Sequence, residues 1–149
     1  MPTDKQQTGE FGEKLVVRSC SCPKCKRVKT LKRLPNNFKC ADIVCDFCGY
    51  LAQVKTTKTK DIERVPNVVL GAAWGPQKER MEAGIYFPLF IVLMAPNRRA
   101  SSVFYLPADL QRPDMFVPRK PLAKSARRAG WQGFYYDLSI VRNSLVRIR

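Results

Sequence analysis

At 149 residues the chain is long enough for one domain with a modest core and short for two. Its 27 lysines and arginines stand against 12 aspartates and glutamates, and the resulting net charge of +15 favours a polyanionic partner, most commonly nucleic acid. Histidine is absent, which excludes Ser-His-Asp hydrolases, HD-type phosphohydrolases and histidine-metal nucleases, and leaves any zinc site to cysteine or carboxylate ligands.

Met1–Glu10 is polar and lacks the apolar stretch of a signal peptide. The strongest apolar run, Gly84–Ala95, is too short to span a bilayer and contains Pro88, so it reads as a buried strand and no membrane association is expected. A cytoplasmic location follows, where six cysteines suggest metal before disulfides. In chain order, the spacing of Phe11, Leu15 and Val16 predicts an amphipathic helix over 9–19. Asn37–Val44 and Tyr50–Thr57 read as strands joined by the tight connection Cys45–Gly49, where Gly49 suits a left-handed backbone. Pro66, Gly71, Gly75 and Pro76 break the pattern over 58–84, leaving Gln77–Ala83 as helical. Ile85–Met94 and Ser102–Leu106 are the next strands, and the apolar run of the first implies cover on both faces, as in an α/β sheet. Pro121–Ala129 reads as a short helix ended by Gly130. Trp131–Leu138 reads as a strand with Phe134 and Tyr136 on one face, and Val141–Arg149 either adds an edge strand or frays.

Cys22-Pro-Lys-Cys25 and Cys45-Asp-Phe-Cys48 form two C-x-x-C knuckles separated by nineteen residues, a spacing that sets four thiolates tetrahedrally about one zinc ion. An ion with four protein ligands has no open position, so this zinc is structural and any chemistry lies elsewhere. Cys20, two residues before Cys22, competes as a ligand, whereas Cys40 reads as a small apolar residue on its strand.

Asp42 precedes Cys45 by three residues, and Gln53-Val54-Lys55 begins five after Cys48. If the flanking segments pair as an antiparallel hairpin with the knuckle at its tip, Gln53 and Lys55 share a face and Asp42 comes beside them. Such a set suits phosphodiester hydrolysis. Asp42, the Gln53 amide oxygen and the Val54 carbonyl offer hard oxygens to Mg2+ or Mn2+, and Lys55 offers a cation to the developing charge. Glu13 adds a carboxylate if the first helix packs alongside. The plainer alternative is an ordinary surface strand pair. Arg119, Lys120, Lys124, Arg127 and Arg128 are candidates for phosphate contact, with Arg128 and Trp131 equally readable as structural.

The segments CPKC, NNFKCADIVCDFC, QVK and RKPLAKSARRAGWQG, in that order, resemble the catalytic domain of DpnI-type (Dam-replacing) restriction endonucleases of the PD-(D/E)xK superfamily. The resemblance runs from about Glu13 to the C-terminus. It implies a restriction-endonuclease-like α/β fold, a mixed central sheet flanked by helices, with an inserted four-cysteine zinc knuckle at about 20–49 of a single domain covering 1–149. It also implies that Asp42 is the metal-binding aspartate, Lys55 the catalytic lysine, Glu13 an acidic residue of the first helix, and Cys22, Cys25, Cys45 and Cys48 the zinc ligands. Gln53 departs from the pattern, standing where the family usually carries an acid, and the family's winged-helix reader of methylated adenine is not expected within this chain. The expected activity is Mg2+- or Mn2+-dependent cleavage of double-stranded DNA, of open methylation preference, by a monomer or weak dimer. The alternatives are a non-catalytic zinc-containing DNA-binding protein derived from the same fold and a small zinc-ribbon interaction module, and the second of these leaves the apolar strands after residue 85 unexplained.

Overall fold

The computed structural model describes residues 2–36, 38 and 41–149. The chain begins with helix α1 (Asp4–Ser19), which starts five residues earlier than the apolar spacing predicts. Its start is fixed by polar chemistry instead: Thr3 Oγ1 accepts from the Gln6 amide at 3.2 Å, and Gln6 Oε1 accepts from the Thr3 amide at 2.8 Å. This reciprocal cap satisfies two N–H groups that the first turn would otherwise leave unpaired. Asp4 then holds Lys58 and Arg98, each at 2.9 Å.

Contacts divide the chain into two compact units. The first comprises Met1–Val65, Phe87–Ala108 and Leu145–Arg149. It contains α1 and a six-stranded mixed sheet built from β1 (Leu31–Arg33), β2 (Ile43–Cys45), β3 (Leu51–Lys58), β5 (Leu89–Met94), β6 (Ser101–Leu106) and β9 (Val146–Arg147), in the order β1-β2-β3-β5-β6-β9. Only β3 and β5 run parallel; every other pair is antiparallel. The predicted strand over 37–44 is shortened to β2, with Asn37, Lys39 and Cys40 outside the described residues, so the packing expected of Cys40 lies there too. β1, which carries no clear alternation, was not predicted. β5 starts at Leu89 rather than Ile85 because pairing with β3 begins at the carbonyl of Pro88, which accepts from the Gln53 amide. All six of its residues are buried between two neighbouring strands, as its continuous apolar run requires.

Helix α1 lies on this sheet. A side chain at Gly12 would collide with Thr56 of β3, so glycine sets the closeness of the approach. Leu15 and Val16 pack with Leu31, Ile43, Ala52, Val54, Phe90, Val92 and Val103, and Cys22 and Cys45 belong to the same core. The short edge strand β9 forms from the segment expected either to pair or to fray.

The second unit, Pro66–Tyr86 and Asp109–Ser144, contains β4 (Val68–Ala73), α2 (Trp74–Glu82), β7 (Phe116–Pro118) and β8 (Gly133–Asp137). Its sheet has the order β4-β8-β7. β4 falls where the sequence pattern looks broken, because Gly71 lies flat under the Phe134 ring, where a Cβ would collide, and so serves the sheet rather than interrupting it. The expected helix over 121–129 does not form. Gly130 donates to the Leu122 carbonyl and Leu122 to that of Trp131, so the segment folds into a closed loop of turns. Nearly all of its side chains are exposed, and a helix there would bury no apolar face. No helix among the described residues is long and apolar enough to cross a membrane.

Candidate functional site

The four cysteines of the two knuckles converge on one point. Their sulfurs all lie within 4.8 Å of one another, with Cys22–Cys48 at 3.6 Å and Cys25–Cys45 at 3.7 Å. Tetrahedral Zn–S bonds of about 2.3 Å place sulfurs about 3.8 Å apart, so the quartet fits zinc with little rearrangement. Both knuckles share one backbone form. The amide after the second cysteine donates to the carbonyl of the first at 2.9 Å, Lys26 to Cys22 and Gly49 to Cys45, and both donors are left-handed, at φ 66° and 78°. Cys20 is buried but stands outside the quartet, and burial pushes its thiol up to about 11.

Burial would raise Cys45, but hydrogen bonds from the Thr30 hydroxyl, 3.2 Å away, and from the Cys48 and Phe47 amides outweigh it and bring the thiol down to about 6. Burial pushes Cys22 the other way, to about 12. Four sulfurs this close share their negative charge poorly unless an ion lies among them.

The second cluster is built on the hairpin that carries the knuckle. Ile43 pairs with Ala52, and the Asp42 amide also donates to the Ala52 carbonyl at 3.0 Å, so Asp42 stands at the end of the hairpin pairing, beside Ala52. Gln53 and Lys55, two residues apart on β3, share one face of that strand. The Asp42 carboxylate turns back to accept the Val54 amide at 2.7 Å. The Gln53 amide points the other way, to β5. The peptide groups of Val54 therefore face the Asp42 side, and its carbonyl faces that side with its N–H.

Helix α1 delivers Glu13 to the same place. Its carboxyl is held above the usual range, first by burial and then by the nearby negative charge of Asp42. Arg33, on β1, answers with Nε at 3.3 Å from Glu13 and Nη1 at 3.6 Å from Glu10. A cleft of about 440 Å³ opens at Glu10, Glu13 and Arg33. Sequence reasoning missed Arg33, because an arginine on an isolated short strand gives no periodic signal. It also missed Thr30, whose contact with Cys45 depends on the fold.

Arg119, Lys120, Lys124, Arg127 and Arg128 are all exposed on the closed loop of the second unit, with the Arg128 guanidinium 4.6 Å from the Trp131 ring centre. Arg128 and Trp131 thus brace each other, and the remaining four cations point no partner out among the described side chains. The family model described as DpnI, Dam-replacing family, matches residues 3–148.

Proposed function

The chain belongs to the DpnI, Dam-replacing family, and from that premise we propose that it is a restriction-type endonuclease that hydrolyses phosphodiester bonds of double-stranded DNA with Mg2+ or Mn2+. The observation that carries this reading is that two carboxylic residues from distant segments meet beside β1: Arg33 holds Glu13 of α1 at 3.3 Å, and the amide of the next residue, Leu34, donates to the carbonyl of Asp42 of the hairpin at 2.9 Å. Like charges brought together at a half-buried position are costly unless a cation compensates them; Arg33 does so for Glu13, and a divalent ion would do so for both carboxylates. The donor set fits a hard divalent ion: two carboxylates, the Val54 carbonyl and the Gln53 amide oxygen. A bound ion would supply Lewis acidity toward a phosphoryl oxygen and a lowered pKa for water.

The chain's own groups do the rest. The Val54 amide fixes the orientation of the Asp42 carboxylate. Lys55 shares the Gln53 face of β3 and stabilises the negative charge that grows on the phosphoryl oxygens. Arg33, 3.3 Å from Glu13, favours the ionised form of that carboxyl. The exposed cations of the 119–128 loop hold the DNA backbone. Zinc in the cysteine quartet is structural and braces the hairpin.

One observation favours a second reading, a DNA-binding protein that does not cut: Arg33 already neutralises Glu13, and Gln53 carries no charge. Plasmid nicking separates the two. The zinc-loaded protein is expected to cut with Mg2+ or Mn2+, and Lys55→Ala to cut at least about 100-fold more slowly with DNA affinity retained. Wild-type protein that binds both methylated and unmethylated plasmid yet cuts neither with either metal would establish the binding-only reading.

A further inference from the structure

We propose that the outer surface of the first cysteine knuckle is a second contact surface for the phosphodiester backbone of duplex DNA, formed by Lys24, Lys26, Arg27 and Lys29 and braced by Phe47. The proposal rests on the DNA partner of the proposed function, not on its chemistry.

Four cations fall within six residues, all exposed, and none makes an ion pair among the described residues. Their neighbours differ: Lys32 lies 3.9 Å from Asp46, and Arg33 is held by Glu10 and Glu13. The knuckle loop thus keeps its positive charge unneutralised where the adjoining strand does not. Such a cluster recognises a polyanion, and each phosphate it meets releases condensed counterions.

The backbone adds an independent observation. Lys26 and Lys29 are both left-handed, at φ 66° and 60°. In the second knuckle the position equivalent to Lys26 is Gly49, the residue that this geometry favours. The first knuckle carries a long cation there instead, and strain of this kind collects at functional positions.

The surface is also preorganised. Cys22 donates to the Arg27 carbonyl at 3.0 Å, and Lys26 donates to the Cys22 carbonyl, so the loop is tied to the buried quartet at both ends. The Arg27 guanidinium sits 3.7 Å from the centre of the Phe47 ring, which is 60% exposed at the tip of the other knuckle. Phe47 buries little of itself there, and its ring holds the guanidinium in place. A fixed fork of donors suits phosphate oxygens.

The test uses the full, zinc-loaded chain, a fluorescent 30-base-pair duplex and no added catalytic metal, with affinity followed across salt. The triple variant Lys24→Ala, Lys26→Ala, Lys29→Ala should lower the slope of log affinity against log salt by about 2.7, which is about 0.9 for each lost contact. A control of equal charge loss, Lys5→Ala, Lys14→Ala, Lys78→Ala, should leave the slope near wild type. Lys26→Gly separates contact from structure: it should keep zinc and thermal stability and still lose about 0.9 of slope. Equal loss in both triples, no loss in the knuckle triple, or a Lys26→Gly variant that matches wild-type binding would overturn the proposal. Plasmid nicking run alongside keeps the readings apart. Protein that binds through the knuckle but never cuts contradicts only the nuclease, and protein that cuts while ignoring the knuckle triple contradicts only this surface.

Discussion

Removal of the knuckle metal should unfold the first unit. Cys22 and Cys45 are fully buried in the same core as Leu31, Ile43 and Phe90, so the quartet is part of the packing that joins α1 to the sheet. The sulfur separations of 3.6 and 3.7 Å already approach those of a tetrahedral site, so little of the binding energy is spent on rearrangement. Structural zinc sites contribute about 10–16 kcal/mol at neutral pH, as much as the whole stability of a typical domain, about 5–15 kcal/mol. Reduced protein is therefore expected to contain one zinc per chain, to lose its cooperative thermal transition when a strong chelator strips the metal, and to regain it with Zn2+. Co2+ in its place should give the absorption bands of tetrahedral thiolate coordination. Cys45→Ser should be insoluble or molten, whereas Cys20→Ser, outside the quartet, should retain full metal content. The reasoning is refuted by metal-free, reduced protein that keeps its circular dichroism and its melting temperature.

The carboxylate pair makes a pH-dependent prediction. Because the folded Glu13 pKa lies above its ordinary value of 4.5, the stability it contributes is present at low pH and lost as pH rises through the folded pKa. In buffer without Mg2+, Glu13→Gln should therefore melt higher than wild type at pH 8, with the advantage shrinking as pH falls toward 4.5, and a constant difference would mean that Glu13 is not held above its ordinary range in the folded protein. The loop of the second unit makes a separate one: Arg119→Ala with Lys124→Ala should lower the salt slope of duplex binding by about 1.8, and an unchanged slope would place those side chains away from DNA.

The parts of this fold legible in the sequence are those where a local pattern carries the physics. C-x-x-C spacing closes a knuckle whatever surrounds it, and the apolar run at β5 needs cover on both faces wherever it lies. The elements that escaped are held by distant contacts. β1 is three residues long and exists because β2 pairs with it. β4 tolerates Gly71 because Phe134, far along the chain, lies across it. The 121–129 segment has helix-compatible residues, with Pro121 at its start and Gly130 at its end, yet Leu122 finds its hydrogen-bond partners at Gly130 and Trp131. At the candidate site, strand alternation puts Gln53 and Lys55 on one face of β3, whereas Arg33 had no sequence signal.

Arg33 alters how Gln53 is to be understood. Asp42, Glu13 and Glu10 would set three negative charges against Arg33 and Lys55, with Arg33 already engaged by both glutamates. Gln53→Glu would add a further negative charge to that cluster. Gln53 follows Ala52, whose carbonyl accepts the Asp42 amide, and a carboxylate there would add a negative charge near the Asp42 end of the hairpin. At an effective dielectric of about 40, a single charge about 5 Å from a divalent ion would gain about 3 kcal/mol, which is about a hundredfold in affinity. The same charge repels Asp42 and Glu13 when no ion is present and pushes the Glu13 pKa higher still, so the metal-free variant should melt below wild type at pH 8 and recover with Mg2+. Mn2+ titration followed by electron paramagnetic resonance reads the affinity directly, and thermal scans with and without Mg2+ read the repulsion. Unchanged Mn2+ affinity together with an unchanged melting temperature, in protein that retains its zinc, would mean that residue 53 does not face the carboxylate pair and that the hairpin does not assemble a cation site.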